Sequence, residues 1–462
     1  MDFLFEDARG LLARMEEGAL DARDLMAASY DQIERVNGDV NALVHLLPRE
    51  EAIARAASAE GPLAGLPLAV KDLANAAGFP TSMGSPIFAG QGPASADDLF
   101  VTRMRSAGAV VIGKSNTPEF GLGSHTYNPV HGLTRNPWDV TKSAGGSSGG
   151  ATVALSTGMV ALADGSDMMG SLRNPAGWAN LYGLRPSWGL VPSEPKGDTF
   201  LHQLATSGPM GRSPADLELV LQVMAGRDAR QPHGADLQPC ATPKRVGWLR
   251  DWGGALPMEG GVLATCEAAL GLFEELGVAV EPLPAPFDRD ALWEAWITLR
   301  SWQVAASLAP VIASEKMKAQ LKPEALWEAE RGLALSAMEV HRASAVRSAW
   351  FEKASELFQS YDALILPTAQ LWPFDAELDW PKEIAGVSMD TYHRWMEVTV
   401  PASILGLPTL AVPAGFSAQG LPMGLQMFGR RGADLGLLEL GKRWHAAAPW
   451  VNQRPPICVQ GA

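Results

Sequence analysis

The sequence predicts an α/β fold in a single large domain. From about residue 60, short β-rich runs, LPLAV (66–70), AVVIG (109–113) and MVALA (159–163), alternate with helix-like segments and Gly/Pro loops. Such alternation argues for a buried sheet layered with helices. The 462 residues are 47% hydrophobic and 19% charged, ample for a core and far from a disordered composition. Neither an internal repeat nor a low-complexity linker divides residues 1–462, so one domain is expected.

Residues 3 to 36 read as two amphipathic helices. In the second, Asp21 is the expected N-cap, and Leu25, Met26, Tyr30, Ile33 and Val36 recur at helical spacing. After the first β-rich runs, Gly149 and Gly150 lead into ATVALST, a short helix. Residues 262–280 and 321–360 read as alanine-rich helices, and LILPT (364–368) and TLAVP (409–413) return to strand. The section from about 290 to 400 is more helical and holds eight of the 15 tryptophans.

Composition excludes several functions. The net charge is −14 and no block of Lys or Arg stands out, so nucleic acid and anionic membranes are poor partners. Cys240, Cys266 and Cys458 form no CxxC pair and the eight histidines no HExxH, so neither a disulfide framework, a metal site nor any cofactor is expected. MDFLFEDARG lacks the basic and apolar regions of a secretory leader, and no apolar run reaches spanning length. A cytoplasmic protein is the expectation.

Two motifs fail their context tests. GAVVIGKS (108–115) satisfies the phosphate-loop pattern, but its variable positions make the best strand in the neighbourhood rather than a loop of amides. GSSGG (146–150) satisfies the nucleophile-elbow pattern, yet polar, turn-rich NPWDVTKSAGG precedes it where a hydrophobic strand is required.

A wider constellation carries the chemistry. LPLAVKD (66–72) ends an apolar run on Lys71. SAGGSSGG (143–150) packs four glycines and three serines into eight positions, and GSDMMGSLRNP (165–175) sets Ser171 between Gly170 and Leu-Arg. With GKSNTPEF (113–120), TRNPW (134–138), YGLRP (182–186), YDALILPT (361–368), GLPTLAVPAG (406–415) and LPMGLQMFG (421–429), this succession resembles the amidase signature family of serine hydrolases almost end to end. Ser147 and Ser171 stand 24 residues apart, the separation of that family's two catalytic serines.

The resemblance implies a central mixed sheet with helices on both faces, and a role for each residue. Ser171 matches the nucleophile, Ser147 the bridging serine that follows a cis peptide bond, and Lys71 the general base. The residues themselves suit those roles. A hydroxyl nucleophile needs a neighbouring base, and a lysine can serve once burial keeps it neutral. A second hydroxyl, which both donates and accepts, can relay the proton. Gly145 and Gly146 ease the backbone around Ser147.

By the same resemblance, the backbone N–H groups of Met168, Met169, Gly170 and Ser171 form the oxyanion hole. The family has two glycines before the serine; here Met169 replaces the first. Met168 and Met169 are expected either to narrow the acyl pocket or to pack away from it. Asp167 and Arg173 are expected as supports for the loop, with Ser148 in the same network.

The substrate expected is a small-molecule amide, bulky and apolar or aryl, because the tryptophan-rich section corresponds to the family's substrate funnel. A carbamate or ester cleaved by the same triad is the alternative. The alternative of another class is an amidotransferase component that works with partner chains. The expected assembly is a monomer or homodimer.

Overall fold

The computed structural model describes residues 2–195 and 197–459. Its centre is an 11-stranded mixed sheet. In chain order the strands are β1 (Leu43–Val44), β2 (Pro67–Lys71), β3 (Val110–Ser115), β4 (Leu162–Asp167), β5 (Tyr182–Arg185) and β6 (Thr206–Gly211). β7 (Arg245–Trp248), β8 (Ala279–Pro282), β9 (Ala363–Pro367), β10 (Thr409–Phe416) and β11 (Pro422–Gly429) complete it. They lie in the order β1-β3-β2-β4-β6-β5-β10-β11-β9-β7-β8. β2 runs parallel to both β3 and β4, an antiparallel series continues from β4 to β9, and β7 and β8 finish the far edge in parallel.

Every residue of β2 is buried, as its unbroken apolar run requires of a central parallel strand. Successive side chains leave it on opposite faces. Leu68 and Val70 enter one apolar core, and Ala69 enters another with Val110, Ile112 and Ala163.

The principal helices are α1 (Ala8–Glu16), α2 (Ala22–Val40), α3 (Gly149–Ser156), α4 (Pro214–Met224), α5 (Val262–Glu275), α6 (Arg289–Ile312), α7 (Pro323–Ala334), α8 (Ala337–Leu357) and α9 (Asp434–Ala447). Asp21 caps α2 through Arg23 N–H. α2 and α3 close the Ala69 side of the sheet, while α4, α5 and α9 pack into the other core. α6 and α7 meet around Val304, Leu308, Ala325 and Ala329 in a small core of their own. None of the helices among the described residues is long and apolar enough to cross a membrane.

Three boundaries differ from expectation. The strand expected at MVALA begins only at Leu162 and continues through Ala163-Asp164-Gly165-Ser166-Asp167. Asp164 and Asp167 are buried in it because partners from other segments, the Lys71 backbone N–H and Arg185, satisfy them, which no local apolar pattern reveals. The helix expected over 262–280 stops at Glu275, with Gly277 at a φ of +73° and β8 beyond. The segment 321–360 is two helices, since Ser336 ends one path and opens the next with a capping box to Glu339.

Candidate active site

The site forms where parallel strands end. Lys71 is the last residue of β2, and Met168–Ser171 follows the last residue of β4. Pairing of Leu68 with Leu162 and Ala69 with Ala163 runs the two strands side by side to that edge. Loops beyond the carboxyl ends of parallel strands are the usual place for ligands in α/β sheets. Lys71 leaves β2 on the same side as Ala69, the side that α3 covers, and Ser147 and Ser148 immediately precede α3.

Lys71 Nζ therefore meets three hydroxyls, Ser147 Oγ at 2.7 Å, Ser148 Oγ at 2.9 Å and Ser166 Oγ at 3.2 Å. A neutral amine has two N–H donors and one lone pair, so this set satisfies it fully while leaving one hydroxyl proton aimed at nitrogen. Burial pushes the Lys71 pKa down from 10.5 to about 7, against the pull of the Asp164 and Asp167 carboxylates. Asp164 is pushed up to about 6 by its own burial, and its Oδ1 accepts the Lys71 backbone N–H at 2.8 Å. All three residues are buried, Lys71 at 1%, Ser147 at 3% and Ser171 at 7% exposure.

The glycine run is packed rather than loose. Side chains at these glycines would collide with the chain around them. A Cβ at Gly145 would lie 2.7 Å from Asn174 Oδ1, and one at Gly146 2.9 Å from Thr126 Oγ1. At Gly150 it would lie 2.3 Å from the Asn116 nitrogen. The Gly146–Ser147 peptide bond is cis. Ser148 bonds Lys71, and not the Asp167 network that the sequence suggests for it.

Asp167 organises the loop. Its carboxylate accepts Gly170 N–H at 2.9 Å and Leu172 N–H at 3.1 Å, and it pairs with Arg173 Nε at 3.0 Å and Arg185 Nη1 at 3.3 Å. Burial would raise its pKa, but the two guanidiniums outweigh that and hold it well below the usual carboxylate range. Arg173 reaches on to Thr399 O, Gln426 Oε1 and Ser403 Oγ, which ties the loop to the C-terminal third of the chain.

This arrangement corrects one expectation. Gly170, expected as an oxyanion donor, gives its N–H to Asp167. The amides of Met168, Met169 and Ser171 make no hydrogen bond within the protein among the described residues. Gly170 is required for another reason, a φ of +89° with Thr399 Cγ2 only 2.7 Å from where a Cβ would stand. Position 169 has no positive φ, so methionine replaces glycine there without backbone conflict.

Ser147, Ser166 and Ser171 line a cavity of about 150 Å³ together with Met168, Met169, Leu73, Phe120, Leu122, Arg300 and Met396. Both methionines are thus wall residues. Trp296 Nε1 donates to Met169 Sδ at 3.2 Å, and Arg300 Nη1 to Met168 Sδ at 3.4 Å. The tryptophan-rich section delivers Arg300 and Met396 to the cavity, whereas Trp293, Trp296, Trp350 and Trp395 are buried in the core. Ser147 and Ser171 share the cavity without a direct hydrogen bond among the described residues. A larger cavity of about 380 Å³ between the N-terminal segment and residues 451–454 lacks Lys71, Ser147 and Ser171, so size does not mark the site.

Sequence reasoning misses Ser166, Asp164, Arg185 and Arg300. Ser166 lies inside GSDMMGSLRNP, but nothing local aims its hydroxyl at a lysine. The apparent phosphate loop is β3, with Lys114 Nζ donating to Ala74 O at 2.6 Å. His45, Asp72 and His131 bring possible metal-ligand atoms within 4.8 Å of one another. Asp72 already accepts Ser82 Oγ at 2.5 Å and faces Lys114 Nζ at 3.4 Å, so a cation there would compete with an ammonium.

The family model described as Amidase matches residues 24–438. An acylamidase of Rhodococcus erythropolis is 32% identical over 97% of this chain and 96% of its own length. A glutamyl-tRNA(Gln) amidotransferase subunit of Chloroflexus aurantiacus is likewise 32% identical, over 97% of both chains. Among solved structures, a bacterial aryl acylamidase of the amidase signature family superposes with a TM-score of 0.90 at 26% identity, covering 99% of each chain.

Proposed function

Because the chain belongs to the amidase signature family, we propose that it hydrolyses the C–N bond of a small amide through an ester on Ser171. The observation that carries this reading is the buried Lys71–Ser147 contact of 2.7 Å beside a cavity that Ser171 also lines. Ser171 Oγ attacks the substrate carbonyl while its proton passes to Ser147 Oγ, whose own proton moves to the neutral Lys71 Nζ. Hydrogen bonds of this kind are often open in free enzymes and tighten when substrate arrives.

The amides of Met168, Met169 and Ser171 receive the oxyanion, a term worth about 3–4 kcal/mol per donor in comparable sites. The proton then returns through Ser147 to the departing nitrogen, the C–N bond breaks, and an amine or ammonia leaves. Water repeats the sequence on the ester, releasing the acid and restoring the Ser171 hydroxyl. Asp167 and Arg173 hold the loop and take no proton. A cavity of about 150 Å³ has room for a benzene-sized group, consistent with an aryl or short acyl amide.

The test is labelling by a fluorophosphonate together with turnover of a simple anilide. We expect both in the purified chain and neither in Ser171→Ala; labelling that survives in Ser171→Ala refutes the assignment. The relationship to an amidotransferase favours a second reading, in which the chain passes ammonia to partner subunits. Full turnover of an anilide by the chain alone, which frees an arylamine and no ammonia, would exclude it, and turnover of a primary amide only when partner chains are added would support it.

A further inference from the structure

We propose that Arg300 forms a second polar subsite in the catalytic cavity, one that takes a neutral acceptor oxygen of the substrate, a carbonyl additional to the scissile one. The proposal rests on the hydrolase reading of Ser171 and deepens it. Arg300 stands on α6, 3% exposed, and lines the cavity with Ser171, Met168 and Met169.

Its hydrogen bonds leave one edge open. Nε donates to Glu328 Oε1 at 2.7 Å, and Nη2 donates to Glu328 Oε2 at 3.3 Å and to Tyr392 Oη at 2.7 Å. Tyr392 donates its own proton to Glu328 Oε2 at 2.5 Å. Nη1 has Met168 Sδ at 3.4 Å as its one partner among the described residues. A guanidinium carries five N–H groups and a thioether is a weak acceptor. One Nη1 N–H is therefore unclaimed, and the other is held by a partner that any carbonyl oxygen would better.

The rest of the cluster makes this edge a built subsite. Glu328 and Tyr392 clamp the guanidinium from α7 and from the segment after β9, so its orientation exists before substrate arrives. Charge selects the class of ligand. The Glu328 carboxylate balances Arg300, and among the described residues the rest of the lining, apolar side chains such as Leu73, Phe120, Leu122 and Met396 together with the serine hydroxyls, carries no further charged side chain. A carboxylate brought here would be a buried anion without a counter-charge of its own, whereas a ketone, amide or urethane carbonyl adds no charge. A substrate with a methylene in that place leaves the buried donors with sulfur alone, and such unpaired donors reject the wrong substrate strongly.

The test uses the full chain and three anilides of equal acyl length, carrying a second carbonyl, a methylene, or a terminal carboxylate. We expect kcat/KM for the carbonyl substrate to exceed that for the methylene one by about 10- to 100-fold, the range of a hydrogen bond to a charged donor, with the carboxylate lowest. Equal rates for carbonyl and methylene, or a preference for carboxylate, overturn the subsite. In Arg300→Met combined with Glu328→Gln, which avoids an unpaired buried carboxylate, the ratio should fall to about one; a ratio that persists also overturns it. Should that variant fail to fold, the native panel still decides. Labelling of Ser171 without carbonyl preference defeats the subsite alone, while absence of both labelling and turnover defeats the hydrolase reading and the subsite with it.

Discussion

If Lys71 is the base, its burial sets the pH at which the protein works, and the sign can be followed through two separate readouts. With the pKa pushed down to about 7, the amine is neutral above that value and gains its proton as the pH falls. For an uncharged anilide, kcat/KM should hold a plateau near pH 8 to 9. It should then fall to about one tenth of the plateau at pH 6 and about one hundredth at pH 5. The second readout is stability. Between about 7 and the ordinary 10.5, the unfolded chain keeps a proton that the native chain has released, so this group makes native stability rise with pH through that window. Below about 7 both states are protonated and the destabilisation from a buried ammonium is complete. Lys71→Met removes the group, so its stability advantage over the native chain should be widest below pH 7. From there to pH 9 it should narrow by about 2–3 kcal/mol in urea melts. A kcat/KM flat to pH 5, or a stability gap that ignores pH, would refute the neutral-lysine argument.

Three further outcomes follow from the loop around the nucleophile. Gly170→Ala forces a side chain into a φ of +89° and against Thr399 Cγ2, and should cost about 1–3 kcal/mol in a melt while lowering kcat. Asp167→Asn leaves Arg173 and Arg185 buried with less counter-charge and should lose about 3–5 kcal/mol, read from the urea midpoint. Met169→Gly opens the cavity wall beside Ser171, so acyl preference should shift toward larger groups while the rate on a small amide changes only a few-fold; a uniform loss on all substrates would reject a pocket role for Met169.

The legible part of the site is the part carried by short windows. Lys71 closes an apolar run, and the crowding around Gly145, Gly146 and Gly150 explains why the serine pair is set in glycine. Ser166 is not legible, because its hydroxyl matters only through β4 lying beside β2. Gly170 misleads for a related reason. Its amide looks free in the sequence, yet the carboxylate three residues earlier turns back to take it. The tryptophans read as funnel material, but most pack in the core, and an arginine from the same section reaches the cavity instead.

The sequence by itself determined the alternation of strands and helices, the spacing of the two serines and the glycine-rich setting of the serine pair, since each is written in the order of residues along short windows. The side chains and backbone that leave room only for glycine at Gly145, Gly146 and Gly150 come instead from distant segments. Tertiary structure alone decided that burial lowers the Lys71 pKa to about 7, which amides remain open, and that Arg300 stands at the cavity wall. Those properties arise from burial and from side chains that converge across hundreds of residues, and no local pattern encodes the surroundings a residue will have once the sheet has closed around it.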